Sequence, residues 1–236
     1  MRAFLGAIEK RQAILDKTGR IAFTREIESS NIPLVSDAPH SLKQTLQAAS
    51  WHQEVSPQNP LAAVAAILRP GKADLELLLI QRSQRRGDPW SGHLAFPGGR
   101  LEKGDPTPRA AAMRETFEEI GLTLQDSEFI GALKPLTGLS LPISVAAYTF
   151  LINRTPSLTL NYEVQSAFWV PFSALKDPTL CTSYSHRHNG KVEQHDALRL
   201  LPPSQPLLWG ITYRFTQQLL NLTTHQLDTP TQRNSI

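Results

Sequence analysis

The stretch RETFEE, Arg114 to Glu119, places three glutamates within six residues. In a helix Glu115, Glu118 and Glu119 stand at i, i+3 and i+4 and share one face. Like charges at those spacings cost a helix about 0.2–0.5 kcal/mol per pair. A surface built for stability would carry lysine four residues after Glu115, where this chain has Glu119. One reading is a solvated face made of good helix formers. The other is a cluster of hard oxygen donors whose repulsion a divalent cation removes. Carboxylates without neighbouring thiolate or imidazole suit Mg²⁺ or Mn²⁺ better than zinc.

The limits of this helix are legible on both sides. Thr107 offers a capping hydroxyl, Pro108 suits the first helical position, and Gly121 is a good stop. Between them Ala110, Met113, Phe117 and Ile120 recur at spacings of three and four, and are expected to form the buried stripe. At about 100° per residue the glutamates fall nearly opposite and are expected to point away from the core. Just upstream, FPGGR (96–100) sets two glycines where the backbone must bend sharply or approach something closely.

Working outward, LAAVAAIL (61–68) and LELLLIQ (75–81) read as strands joined by the turn-like RPGKAD. GHLAF (92–96), EFIGALK (128–134), ISVAAYTFLI (143–152) and AFWV (167–170) add further strands, the last followed by a short helix after Pro171. Residues 207–222 place Leu208, Ile211, Phe215, Leu219 and Leu222 on one stripe and predict a C-terminal helix. This mixture predicts an α/β or α+β sandwich. Residues 1–57 read as an N-terminal helical extension: Phe4, Ile8 and Leu15 share a helical face that Gly19 would stop. A second helix is expected from Ser41, carrying Leu42, Leu46 and Ala49, before the proline-containing VSPQNP (55–60). The domain is then expected over 58–225, with 226–236 as a tail.

Composition narrows the partners. Of 236 residues, 40% are hydrophobic and 19% charged, which suits a soluble globular chain. The lone Cys181 excludes an intrachain disulfide. A net charge of +3 suits an anionic small molecule. The basic residues are scattered and not interleaved with aromatics, so no nucleic-acid partner is expected. No apolar run approaches the ~18 residues of a membrane span. MRAFLGAIEKRQ lacks a secretory h-region, and Glu9, Asp16, Glu26 and Glu28 oppose a mitochondrial presequence, so a cytoplasmic location is expected. The stretch CTSYSHRHNGKVEQHDAL (181–198) holds Cys181, His186, His188 and His195, but their irregular spacing argues against zinc. A variable, substrate-facing loop is the better expectation there.

Gly98-Gly99, then Asp105, then RETFEEIGL (114–122) resembles the Nudix box of pyrophosphohydrolases acting on nucleoside diphosphates linked to another moiety. The family pattern is Gly, five residues, Glu, seven residues, then Arg-Glu-U-x-Glu-Glu-x-Gly-U, with U aliphatic. Here Asp105 replaces the first Glu, eight residues precede Arg114, and Thr116 occupies an aliphatic position. The resemblance implies a Nudix-type α/β/α sandwich with a mixed sheet, and Mg²⁺ or Mn²⁺ as cofactor. It implies metal ligation by Glu115, Glu118 and Glu119, foremost Glu119, joined by the Gly99 carbonyl. Arg114 would orient a glutamate through an ion pair. The general base stays open between Glu163 and Glu118. Arg82 and Arg100 would bind phosphates, Arg85 and Arg86 flank the box without an assigned role, and Trp90 would either stack on a base or fill the core.

The longer box with Asp at its acidic position is similar to the coenzyme A pyrophosphatase branch. That branch carries an upstream motif of Arg-Ser, Leu, His-x-Gly and Phe-Pro-Gly-Gly. Arg82-Ser83, Gly92 and Phe96–Gly99 match it, whereas Trp90 stands where His is expected and the loop is longer. NYEVQSAFWVPFSAL (161–175) and LLWGITYRFTQQLL (207–220) resemble later segments of the branch, so the likeness runs over residues 61–222. The implied substrate is coenzyme A or a derivative. ADP-ribose, dinucleotides and nucleoside triphosphates are the alternatives within the enzyme class. A nucleotide-binding or regulatory module, with residues 1–57 as a partner or dimerisation arm and a homodimer as its form, is the alternative outside it.

Overall fold

Strand β3 (Ala62–Pro70) runs parallel to β8 (Ser144–Leu151), from Ala62 beside Val145 to Leu68 beside Leu151. The remaining pairings of the central sheet are antiparallel. These facts come from a computed structural model that describes residues 13–15, 21–23, 38–48 and 62–224, apart from 73, 89, 139–142 and 189. On its other side β3 meets two partners in turn. Leu68–Pro70 pair with the start of β4 (Leu75–Arg82), while Ala62–Val64 pair with β6 (Gly98–Arg100). Strands β3 and β4 therefore splay into a fork. The segment 94–100 fills it, with β5 (Leu94–Ala95) along the end of β4 and β6 along the start of β3. The Ala65 N–H donates to the Pro97 carbonyl at 2.8 Å and ties the crossing point down.

Strand β7 (Phe129–Thr137) borders β8, and β9 (Val164–Pro171) pairs with β4 along its length, Glu76 facing Pro171 and Ile80 facing Ala167. The apolar runs of β3 and β4 are nearly continuous because both faces of the sheet are covered. Ala63, Ala65, Ile67, Leu78 and Ile80 face helix α2 (Pro108–Ile120) and pack with its Ala111, Ala112 and Ile120. Ala66, Leu68, Leu77 and Leu79 face the opposite layer, where Leu42 and Leu46 of α1 (Ala38–Ala48) pack with Phe215 and Leu219 of the last helix. The α/β/α sandwich with a mixed sheet is therefore observed. A short helix α3 (Phe172–Leu175) follows Pro171, as expected.

Five expectations change. Leu15 closes a three-residue strand β1 (Ala13–Leu15) paired with β2 (Ile21–Phe23), so it does not belong to a helix; Phe4 and Ile8 lie outside the described residues. Helix α1 starts at Ala38, three residues before Ser41, and Ala49 lies outside the described residues. The 181–198 stretch is an antiparallel hairpin, β10 (Cys181–His188) and β11 (Lys191–Leu198), joined on its far side by β12 (Leu208–Trp209). The last helix, α4 (Gly210–Thr224), begins two residues after Leu208 and buries Phe215 and Leu219 as its stripe required.

The fifth change concerns α2. Phe117 is 57% exposed, while Thr116 and Glu119 are 0% and 1% exposed. The helix is turned so that the face carrying Glu115 and Glu119 looks inward. One local bond and two from the sheet make this tolerable. The Thr116 hydroxyl donates to the Ala112 carbonyl at 2.7 Å, which removes its need for an outside partner. Glu119 finds donors in the sheet below, so its burial does not leave an unpaired charge.

Candidate active site

Helix α2 is fixed at both ends by the chemistry its sequence announces. The Ala110 N–H donates to Thr107 Oγ1 at 3.1 Å, and Gly121, at φ 67°, donates its N–H to the Phe117 carbonyl at 2.8 Å. The helix lies over the filled fork and aims its second half at Gly98 and Gly99 of β6. There the Gly98 N–H donates to Glu119 Oε2 at 3.0 Å, and Arg82 Nη1 approaches Glu119 Oε1 at 3.5 Å.

Both glycines are required by space. Gly98 has φ 148° and lies against the Ala63 carbonyl and Val64, so a side chain there would be strained as well as crowded. A Cβ at Gly99 would run into the Glu115 carboxylate. The glycines let a carboxylate close on the backbone.

The electrostatics follow from that closeness. Burial pushes Glu119 up to about 7, against the opposing pull of the Gly98 amide and Arg82; Glu115 and Glu163 add to the rise. Burial likewise raises Glu115, with Arg114 opposing and Glu118 and Glu163 contributing. Glu163 thus adds to the rise of both carboxylates, and Glu115 adds to that of Glu119. A divalent cation relieves such a cluster by taking the proton's place.

Arg114 organises the outer side. Its Nε and Nη2 each lie 3.0 Å from Asp105, a two-point pair that pulls the Asp105 carboxyl below its usual range. Nη1 reaches Glu115 Oε1 and Glu118 Oε2, both at 3.1 Å, and Nη2 donates to the Arg100 carbonyl at 3.2 Å. Arg114 is thus paired with Glu115 and Glu118 on one side, and Asp105 holds it from behind.

The candidate residues do not all converge. Glu118 stays at the half-exposed rim, with Arg114 between it and Glu115. Glu163 stands across the site, bound at 2.6 Å to Arg85 Nη1, and its N–H donates to Asn161 Oδ1. Arg82 bridges Glu119 and Asp88, and its buried Nε has no partner among the described residues. Arg100 and Arg86 are exposed. Trp90 is 40% exposed and outside both core clusters, which overturns the core-filling reading for it. Its backbone N–H donates to Asp88 Oδ1 at 2.9 Å.

Several features escaped sequence reasoning. The Gly98 amide, the Arg85–Glu163 pair and the ring cluster around Trp209 depend on contacts far apart in the chain. His186 and His195 belong to that ring cluster, and Cys181 is exposed. Among the described residues no three His, Cys, Asp or Glu side chains form a ready-made metal cage. The donor set still fits Mg²⁺, which is held by one or two carboxylates completed by water and substrate phosphate. Glu115 and Glu119 are the two that the fold brings together.

A family model described as the NUDIX domain matches residues 59–188, more than half of the chain. A Schizosaccharomyces pombe protein described as a probable nudix hydrolase is 30% identical over 174 residues, covering 71% of this chain and 58% of its own. The peroxisomal coenzyme A diphosphatase of Caenorhabditis elegans is 32% identical over 112 residues, covering 46% of this chain and 47% of its own. The chain thus spans about half the length of these curated relatives. Among solved structures, the NUDIX domain of Shewanella oneidensis NrtR complexed with ADP ribose is 16% identical. It covers 76% of this chain and 98% of its own, with a TM-score of 0.46.

Proposed function

The chain belongs to the NUDIX family, and on that premise we propose that it is a metal-dependent pyrophosphohydrolase. It cuts the diphosphate of a nucleoside diphosphate linked to another moiety, with coenzyme A or a derivative as substrate. The observation that carries the reading is Glu119. A carboxylate 1% exposed, held by a backbone amide and an arginine, is built for a charge it does not itself supply.

In this reading Glu115 and Glu119 hold Mg²⁺ or Mn²⁺, with the Gly99 carbonyl beside them and Glu118 at the rim. The cation, when bound, supplies positive charge to the diphosphate oxygens and acidity to an attacking water. Arg82 fixes Glu119, and Arg114, steadied by Asp105, fixes Glu115 and Glu118. Arg100 is an exposed cation free to meet phosphate oxygens at the edge of the site. Glu163 is the general base we favour over Glu118. It acts on both Glu115 and Glu119 from the opposite side, whereas Glu118 stands half-exposed at the rim.

Coenzyme A is favoured by the one-residue longer box, by Arg82-Ser83 and Gly92, and by the name of the nematode relative. No helix among the described residues is long and apolar enough to cross a membrane, and a cytoplasmic location, with a homodimer as the working form, completes the reading. Because α1 packs in the core, the domain on this reading takes in residues from Ala38 onward. The test is product identification. Coenzyme A, ADP-ribose, dinucleotides and nucleoside triphosphates are each incubated with Mg²⁺ or Mn²⁺. Release of 3′,5′-ADP and 4′-phosphopantetheine is expected from coenzyme A. Binding of nucleotides without cleavage of any of them would replace the enzyme by a nucleotide-binding module.

A further inference from the structure

A cavity of about 460 Å³ opens on the far side of the loop that joins β4 to β5. Its walls carry the amides of Gln81, Gln84, Gln165 and Gln205 and the rings of His93, Tyr184 and Trp209. Among the described residues no carboxylate, lysine or arginine lines it. The rings are held in place by the hairpin. Tyr184 stacks on Trp209 at 4.1 Å between centroids with planes 28° apart, and His93 meets Trp209 edge-on at 5.2 Å and 70°. Trp209 in turn is paired to Ala197 through β12.

The cavity and the carboxylates share one wall. Gln81 and Arg82 are consecutive residues of β4, the first lining the cavity and the second bound to Glu119. Within the loop, Ser91 Oγ donates to Gln84 Oε1 at 3.1 Å and accepts the Arg85 N–H at 2.6 Å. Arg85 then reaches Glu163 with its guanidinium. One short loop therefore presents amides to one side and charges to the other.

We propose that this cavity binds the nucleobase of the substrate while the diphosphate lies toward Glu115 and Glu119. The assignment of that base to a substrate rests on the pyrophosphohydrolase reading above. The chemistry of the lining selects the ligand class. A phosphate would find no cation here. A planar heteroaromatic base finds ring faces to stack on and amides that both donate and accept at its edge. The volume lies in the range of about 300–1,000 Å³ typical of small-molecule sites.

The experiment uses the full chain in EDTA and follows tryptophan fluorescence on titration with AMP and, separately, ribose 5-phosphate. Saturable quenching by AMP, absent with ribose 5-phosphate, is expected. Tyr184→Ala should weaken AMP binding about tenfold, the scale of one lost stacking contact, and Tyr184→Phe should restore it. The exposed pair Gln165→Ala and Gln205→Ala should weaken AMP in the same direction, with an unchanged melting curve showing that the fold survives. Equal binding of AMP and ribose 5-phosphate, or variants that bind AMP like the wild type, would overturn the assignment. If diphosphates are cut but neither AMP affinity nor KM responds to the variants, the cavity assignment fails and the hydrolase reading stands. If AMP binding responds as expected but no diphosphate is cut, the base site stands and the hydrolase reading fails.

Discussion

The Gly98 N–H meets the Glu119 carboxylate at 3.0 Å across 21 residues of sequence. This bond joins a strand of the filled fork to the buried face of α2, and four expectations follow from it and its neighbours.

The first concerns pH. Burial raises Glu119 from 4.5 to about 7. Below pH ~4.5 the folded and unfolded chains both carry its proton, and the site places no charge in the interior. Between pH ~4.5 and ~7 the unfolded chain releases the proton while the folded chain keeps it, so stability falls as pH rises. Over that interval the loss is about 3 kcal/mol in metal-free protein. Urea unfolding in EDTA at pH 5 and pH 8 measures it. Glu119→Gln should be less pH-dependent than the wild type by that amount, and an identical slope in the two proteins would contradict the burial argument.

The second concerns Gly99. An alanine there must displace the Glu115 carboxylate. A shift of about 1 Å in such a group costs about a hundredfold in rate. Gly99→Ala should therefore lower kcat/KM by that order, with Mg²⁺ or Mn²⁺ affinity weakened in parallel. Isothermal titration with the metal alone reports the second effect independently of turnover.

Arg114 gives the third. Lysine keeps its charge but cannot span both oxygens of Asp105 while touching Glu115 and Glu118. Arg114→Lys should cost about 10–100-fold in metal affinity or activity, as lost supporting contacts at metal sites do. Asp105→Asn should fall in the same direction and by less. A double variant no worse than Arg114→Lys alone would show that the two act as one unit.

The turned helix makes a cheap fourth test. Phe117→Gln replaces an exposed ring and should change stability by no more than about 0.5 kcal/mol. Ile120→Ala, at a site with 0% exposure, should cost about 2–5 kcal/mol. Thermal melts of Phe117→Gln decide whether the phenylalanine looks inward, with Ile120→Ala, buried on either reading, as the reference for a core loss.

The helix termini, the β3, β4 and β8 runs and the glutamate cluster were legible because each rests on local chemistry: a cap, a turn, a period. The rotation of α2 was not. Periodicity placed Phe117 inside because it counts hydrophobicity and cannot see that Gly98 and Arg82 wait beneath the helix for Glu119. The hairpin at 181–198 was missed for a related reason. Its strands carry polar residues, and its pairing partner Trp209 lies beyond the stretch itself. The likeness to the Nudix box pairs Arg114 with a glutamate of the cluster but does not show that Asp105 holds the arginine from behind. Trp90 reads in the sequence as a ring that stacks on a base or fills the core, and the structure gives it an exposed place beside Asp88.

The fork between β3 and β4 has a consequence for how the site comes into being. Segment 94–100 takes its place only when β3 and β4 are both present, and β3 closes on β8 some eighty residues away. Such non-local pairing forms late and slowly. Until it forms, Gly98 has no position from which to meet Glu119, and that carboxylate remains an ordinary acid on a free helix. The unusual proton affinity is therefore a property of completed topology. Its appearance during refolding would mark the moment the sheet closes.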